Sequence, residues 1–588
     1  MNVLLVSAPM AETWQVTTDH INGQYPVGLG YLHAYLEQSG HQVRTLYLVN
    51  NSHEEGMAAF YQAIHKDPPQ IIGFNIITDN RVSSFLMMQE LPALHPNAQV
   101  IIGGIHVSAM HEQILTAFPN VIAVLGEGET TAAELLQTLE SGGYLFDVQG
   151  IAYFNSEQQQ VVTTEQRPLL EDLDTLPFPK HEIFWHPDRV EADLLTSRGC
   201  PFECSFCALD ALSRRKVRFR SVENVVDEIE YLQKSFPKLE QVHIYDDQFF
   251  ISNKRAIEIC EEIIKRGIKL KFFCQGRLRP ISLELVDALY RANFRLVTLG
   301  LETGSRRMLE KCRKKITPED ALHAITMFKN YPSINLHVLL MVGLPGESLA
   351  TIMETAELVN RMQEIRFHDY SQIIQTTFIY PGTEIYRNAK QSGFINDDYW
   401  LTSQNAPLYL VEHNKEMMTI YREILLTHIS LARIFTPSGL AAQKSRLTEI
   451  IRFCLSYPDH YQPVAELVSR VVNTMIHKKE LKFDISTKHP LPSGALPTLR
   501  LLPNQNGTPA TEFSLHIGKI ESSNATAMHI VRDYYLFRAE KPTELINAAI
   551  IAYLEEMFGS GRTKELHTSL GMHTWAQGNS HHRFNIVL

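Results

Sequence analysis

Short, wholly apolar runs alternate with helical patterns in two separate parts of this chain, and that alternation restricts its fold more than any other feature. In residues 1–145 the runs are "NVLLVSAP", "QIIGFNII", "QVIIGGIH" and "IAVLGEGE"; "GLGYLHAYLEQSG" reads as a helix stopping at Gly40, and "TTAAELLQTLES" as another. Strands that are apolar on both faces must be covered on both, and helices between successive strands make the sheet parallel. The predicted fold class is therefore α/β, beginning with a doubly wound (Rossmann-like) domain whose ligand crevice lies beyond the carboxyl ends of its strands. Residues 146–190 break the pattern, with "GIAYFNSEQQQVV" as a hairpin and "LPFPKHEIFWHP" as a proline-punctuated linker. From 191 to 400 the alternation resumes: "ADLLTSRG", "QVHIYDDQF", "LKFFCQGR", "LVTLGLETG", "LHVLLMVGLPG" and "IIQTTFIYPGT". Six such runs predict an open or partial (β/α)6 barrel with its site at the carboxyl face. Residues 401–588 read as a mainly helical C-terminal domain that caps the barrel mouth; amphipathic stretches such as "IYREILLTHISLARIF" are explained by packing.

Composition narrows the classes. The longest apolar stretch, near Leu336 to Leu344, falls well short of the roughly 18–20 residues that span a bilayer. The apolar N-terminus has no basic lead-in and reads as a buried strand, not a signal peptide. A net charge of −11 argues against a nucleic-acid binder, which needs a basic face. Seven cysteines in 588 residues make no disulfide scaffold, and a reducing cytoplasm is the expected location.

Three of those seven crowd into "SRGCPFECSFCAL", as Cys200, Cys204 and Cys207, on a loop that directly follows the strand "DLLTS". The other four, Cys260, Cys274, Cys312 and Cys454, have no partner spacing. Thiolates bind zinc or iron–sulfur clusters. A zinc site would need a distant histidine to complete it. Three thiolates on a four-iron cluster leave the fourth iron open to a chelating small molecule.

The segment resembles the signature of the radical S-adenosylmethionine (SAM) enzymes, with Phe206 in the aromatic position before the last cysteine. The resemblance implies a [4Fe-4S] cluster on Cys200, Cys204 and Cys207, SAM chelated at the open iron, and reductive cleavage of SAM to a 5′-deoxyadenosyl radical. It extends along the strands. "YDDQF" puts Asp246 and Asp247 where the family holds the SAM amino group, and carboxylates suit an ammonium. "GLETGS" places Glu302 and Ser305 beside the SAM ribose or carboxylate, and Arg277 in "CQGR" pairs with that carboxylate. "VGLPGE" resembles the turn near the adenine, and "YPGTEIY" the closing strand.

"YPVGLGYLHAYLEQSGHQV", "IIGGIHVSAM" and "GEGETTAAELL" resemble the cobalamin-binding domain that precedes many radical SAM cores. Gly103 and Gly104, and Gly126 and Gly128, leave backbone bare for close approach at strand ends and before a helix. By that resemblance Gly103, Gly104, His106, Gly126, Glu127 and Gly128 belong to the cobalamin site. The motif D-x-H-x-x-G, which places a histidine on cobalt in the methionine-synthase kind, is absent; His106 is expected to line the pocket without ligating cobalt. A domain that binds nothing is the alternative. The methylthiotransferases, which carry a second cluster on N-terminal cysteines, are excluded because no cysteine precedes Cys200.

Two such cofactors at one barrel mouth imply hydrogen abstraction from an unactivated carbon of a small molecule (a natural product, lipid or tetrapyrrole), followed by methyl transfer from methylcobalamin. A reductant such as flavodoxin or ferredoxin is the expected partner. Relatives with the same domains cyclise or rearrange instead, and the sequence does not choose between them. A non-catalytic regulator would need an output module, such as a basic recognition helix, and the C-terminal region has none.

Overall fold

The structure, a computed structural model, describes residues 1–10, 23–366 and 370–415, scattered positions up to 425, and three short strands: Phe483–Asp484, Thr498–Leu501 and Leu515–His516. The helices expected in the C-terminal third, and the histidine-rich end with His581 and His582, lie outside these residues. Backbone contacts divide the chain into two compact units. One comprises Met1–Glu302, Arg306–Pro345 and His368–His413; the other Thr303–Ser305, Gly346–Phe367 and Asn414–Leu588.

The first unit holds two large sheets. One has seven strands in the order β2-β1-β3-β4-β5-β6-β7: β1 Asn2–Ser7, β2 Gln42–Tyr47, β3 Ile71–Asn75, β4 Gln99–Gly103, β5 Val121–Val124, β6 Ile151–Asn155 and β7 Gln160–Thr163. The first five pair in parallel; β6 and β7 add on antiparallel. Helices α1 (Val27–Gln38), α2 (His53–Lys66), α3 (Arg81–Leu94), α4 (Ile105–Ala117) and α5 (Glu129–Ser141) make the crossovers. Period-two side chains serve two cores. Val3, Leu5, Ile71 and Ile101 pack on one face, and Leu4, Val6, Ile72 and Ile102 on the other. The expected hairpin is therefore part of this sheet, continuing it beyond β5. An added strand, β2, lies at the edge, where none of its residues is fully buried.

The second sheet has six parallel strands in the order β15-β14-β13-β12-β11-β8. They are β8 Glu191–Leu194, β11 Gln241–Ile244, β12 Lys271–Arg277, β13 Phe294–Glu302, β14 Asn335–Val342 and β15 Tyr370–Thr376. A two-stranded antiparallel ribbon, β9 (Ser197–Arg198) and β10 (Arg218–Phe219), brackets the cysteine loop. Two connections tie the sheets together. After the barrel the chain returns to the first sheet, burying Ile379, Ile385, Trp400 and Tyr409 in its core; Arg81 donates from Nε to the Trp400 carbonyl at 3.0 Å. The proline-punctuated segment is clamped through His181, fully buried, 2.7 Å from the Tyr25 hydroxyl and 2.9 Å from Glu228. Among the described residues no helix is long and apolar enough to cross a membrane.

In the second unit, helix Leu349–Ile365 starts at Ser348, whose hydroxyl caps Thr351 N–H. Thr355 on that helix accepts from Gly304 N–H at 2.8 Å. The three short strands pair antiparallel.

Candidate active site

The carboxyl ends of β3, β4 and β5 open into a cavity of about 330 Å³. Asn75, Gly103, Gly104, Gly126, Glu127 and Gly128 form its wall on the side of the first sheet, and Ser197, Arg198, Gly199 and Asp247 on the side of the second. Its inner end is apolar, between Leu5, Leu36, Ile71, Ile101 and Leu136. Gly104 adopts φ +107°, and a Cβ there would stand 2.5 Å from the Ile76 carbonyl oxygen, so only glycine fits. A Cβ on Gly126 would meet no atom within 4 Å; it would project into open space. These glycines keep backbone bare where a large flat ligand needs close approach, and the apolar inner end suits a ring. The cavity fits cobalamin on both counts.

Five of the six residues expected there line the cavity; His106 does not. It is 1% exposed, with Nδ1 3.1 Å from the Thr78 hydroxyl and its ring edge-on to Trp400 at 5.8 Å. Gly104 ends β4 in the turn that starts α4, and His106 then points into the core under α4. Burial and the nearby Arg81 lower its pKa to about 3. A histidine so depressed folds neutral, so its contribution is present above the ordinary value near 6.5 and is lost as pH falls toward 3. Over that window His106→Asn is expected to flatten the pH dependence of unfolding free energy by about 1.4 kcal/mol per pH unit, read from denaturant titrations.

The cysteine loop leaves β9 through Gly199, at φ +92°, where a Cβ would run into the Lys216 carbonyl. Cys200 and Cys204 are half-buried and Cys207 is accessible; all three are free thiols. Cys207 N–H donates to the Cys204 carbonyl at 3.0 Å, folding the loop into a turn. Although Cys207 reaches the surface, the protein crowded around it, and then the neighbouring thiols, raise it to about 11, and burial raises Cys200 as well. Bound iron is what would hold such thiols as thiolates, and a soft three-sulfur donor set on one loop fits a cluster.

Around the loop stand the other expected residues of the first unit. Arg277 is 6% exposed and stacks on Phe202 with 3.8 Å from Cζ to the ring centre; its Nη1 lies 3.6 Å from Cys204 Sγ and its Nη2 is buried without a partner. Phe206 packs against Met308, Cys312 and Leu344. Glu302, at φ +69°, accepts from Lys314 Nζ at 2.7 Å, both side chains being nearly buried. Ser305 belongs to the second unit, where it is fully buried and its N–H donates to Thr303 Oγ1 at 3.3 Å.

The two aspartates separate. Asp247 is accessible in the cavity wall and accepts from Gly199 N–H at 2.9 Å; crowding by protein, then the neighbouring Asp246, pushes its carboxyl up to about 6. Asp246 points the other way and is fully buried. It accepts four hydrogen bonds: Thr196 N–H at 2.6 Å, Thr196 Oγ1 at 2.5 Å, Ser197 N–H at 3.2 Å and Ser197 Oγ at 2.6 Å. Its acceptors are spent on the strand entering the cysteine loop.

Sequence reading missed Arg198, Arg218 and Glu129. Arg218 grips Glu127 with both Nη atoms, at 2.8 and 2.7 Å, and Arg198 donates to Glu129 at 2.7 Å. Arg198 and Glu129 are next to motif residues, in "SRGC" and "GEGE", yet nothing in either motif names the other as partner.

Two family models match, the B12 binding domain over residues 21–136 and the radical SAM superfamily over residues 194–359. The chain carries both a B12-binding domain and a radical SAM domain. Its cofactors are a [4Fe-4S] cluster, SAM and cobalamin. An uncharacterized methyltransferase of Pyrococcus horikoshii is 28% identical to this radical SAM protein over 385 residues, 64% of this chain and 80% of the relative. An anaerobic magnesium-protoporphyrin IX monomethyl ester cyclase of Rubrivivax gelatinosus is 30% identical over 346 residues, 57% of this chain and 61% of the cyclase. Among solved structures, the cobalamin-dependent SAM radical enzyme OxsB, with aqua-cobalamin and SAM bound, matches with a TM-score of 0.61 at 18% identity, over 81% of this chain and 75% of that one. That likeness establishes the shared fold.

Proposed function

We propose that this protein methylates an unactivated carbon of a small molecule. The observation that carries the reading is the cavity itself, walled on one side by the glycine turns of the B12-binding domain and on the other by Gly199 and Asp247 beside the cysteine loop. A methyl donor held there would sit beside the loop whose cysteines would carry the cluster. The methyltransferase from Pyrococcus horikoshii, matched over most of its length, points the same way.

Cys200, Cys204 and Cys207 would hold the cluster, Asp247, Arg277, Glu302 and Phe206 would hold SAM, and Gly103, Gly104, Gly126 and Gly128 would cradle the corrin. When bound, the cluster supplies the electron that cleaves SAM and cobalamin supplies the methyl group. The chain's own part is placement. Arg277, fixed on Phe202, keeps a free buried Nη2 donor that would suit a carboxylate. Asp247 offers a carboxylate to an ammonium. Phe206 and the apolar cavity end keep water from the reacting groups. A reductant of the flavodoxin or ferredoxin type would deliver the electron.

Ring formation without methyl transfer is the second reading, favoured by the match to the Rubrivivax cyclase. Reconstituted protein supplied with a substrate and methyl-deuterated SAM separates the two. Label in the product is expected; a product formed along with 5′-deoxyadenosine but free of label would replace methylation by cyclisation or rearrangement.

A further inference from the structure

We propose that two ion pairs, Glu127–Arg218 and Glu129–Arg198, position the cluster-bearing loop on the cobalamin cavity and so couple the two cofactor sites. The inference rests on the cofactor assignment above and goes beyond it by giving four side chains a joint task.

Arg198 and Arg218 are opposite one another in the ribbon β9–β10. All three cysteines lie on the chain between them, so these arginines sit at the two ends of the cysteine loop. Both are held by carboxylates of a single turn, "GEGE", which joins β5 to α5 in the B12-binding domain. Arg218 is 5% exposed and bidentate on Glu127, and it also donates to the Leu170 carbonyl at 2.9 Å. Arg198 pairs with Glu129, lies 3.7 Å from Glu127 and stacks over the Tyr31 ring at 4.8 Å. All four side chains line the cavity.

Chemistry favours positioning over two other uses. Buried ion pairs add little net stability compared with apolar residues of the same size, because desolvation offsets their attraction. A bidentate guanidinium–carboxylate pair does fix distance and angle. Recognition of an anionic ligand would need a fork of free guanidinium donors; here both Nη atoms of Arg218 and Nη2 of Arg198 are engaged by carboxylates, which leaves Arg218 Nε as a single buried donor without a partner. Glu127, expected from its motif to touch cobalamin, is engaged with Arg218. A ligand that presses on Gly126 and Gly128 therefore bears directly on the two residues that hold the cysteine loop by its ends.

Hydroxocobalamin titration, followed by visible absorption, tests this with and without the reconstituted cluster. Wild-type protein is expected to bind at least about fivefold more tightly when the cluster is present, the lower end of ordinary site–site coupling. In Glu127→Gln and Glu129→Gln the ratio should fall below about twofold. Glu127→Gln leaves Arg218 buried and unpaired, which endangers folding. The double variant Glu127→Leu with Arg218→Met therefore carries the decision. It should melt near the wild-type temperature and, whatever its affinity for hydroxocobalamin without the cluster, gain less than about twofold when the cluster is present. A double variant that keeps the fivefold gain overturns the proposal, as does a wild type that binds hydroxocobalamin equally in both states; in either case the cofactor assignment stands. A wild type that binds none in either state overturns both.

Discussion

Alanine at Cys200, Cys204 or Cys207 is expected to lower 5′-deoxyadenosine formation more than about 100-fold, with iron and sulfide content falling alongside it. Losing a group that merely supports a metal ligand costs 10–100-fold in affinity or activity, so losing a ligand sets a floor above that. Replacement from within the described chain is closed off by packing. Cys260, Cys274 and Cys312 are 0%, 4% and 1% exposed, and burial drives the thiols of Cys260 and Cys274 far up, away from the thiolate form that iron requires. Cys274 lies on β12, two strands from β8, the sheet strand that leads into the loop, and its side chain is buried. Cys274→Ala should therefore assemble the cluster normally. A single alanine variant of the loop trio that retained iron and full SAM cleavage would remove the assignment.

What the sequence made legible follows from how local each determinant is. Strands such as "NVLLVS" and "LHVLLMV" announce themselves because they are buried along most of their length. Strand β2, "QVRTLY", does not: at the sheet edge it mixes polar and apolar residues and resembles an ordinary loop. The hairpin was legible as a hairpin, while its union with the first sheet depends on pairing between β5 and β6 that no local pattern encodes. The cysteine trio is a spacing on one loop, so it could be read directly. His106 was misread because two glycines before it suggest an open crevice. The turn at Gly104 instead sends the histidine beneath α4, against Trp400, roughly 300 residues later in the sequence. The arginine–carboxylate pairs join positions about 70 to 90 residues apart, and only the folded chain shows them.

The aspartate pair shows the same limit and yields the sharper stability experiment. Asp246 and Asp247 lie past the end of β11, and their hydrogen bonds divide them: Asp246 is spent on Thr196 and Ser197, while Asp247 accepts from Gly199 N–H. Asp247 takes the cavity and Asp246 the interior. Asp246→Ala would strand two backbone N–H groups and two hydroxyls in a fully buried place. Each unsatisfied buried group costs about 1–3 kcal/mol, so unfolding free energy should drop by about 4 kcal/mol or more, measurable as a lower denaturant midpoint with unchanged slope. Arg255 does not rescue the site, because it donates to Thr196 Oγ1 and adds no acceptor. Asp246→Asn should fall between, since one amide oxygen remains to accept and the new NH2 faces donors. Asp247→Ala gives up one hydrogen bond, from Gly199 N–H, and should stay folded while binding SAM about tenfold more weakly, the loss expected for one charged hydrogen bond to ligand. The opposite pattern, an Asp246→Ala protein of native stability that no longer binds SAM, would make Asp246 the ligand contact and Asp247 the bystander.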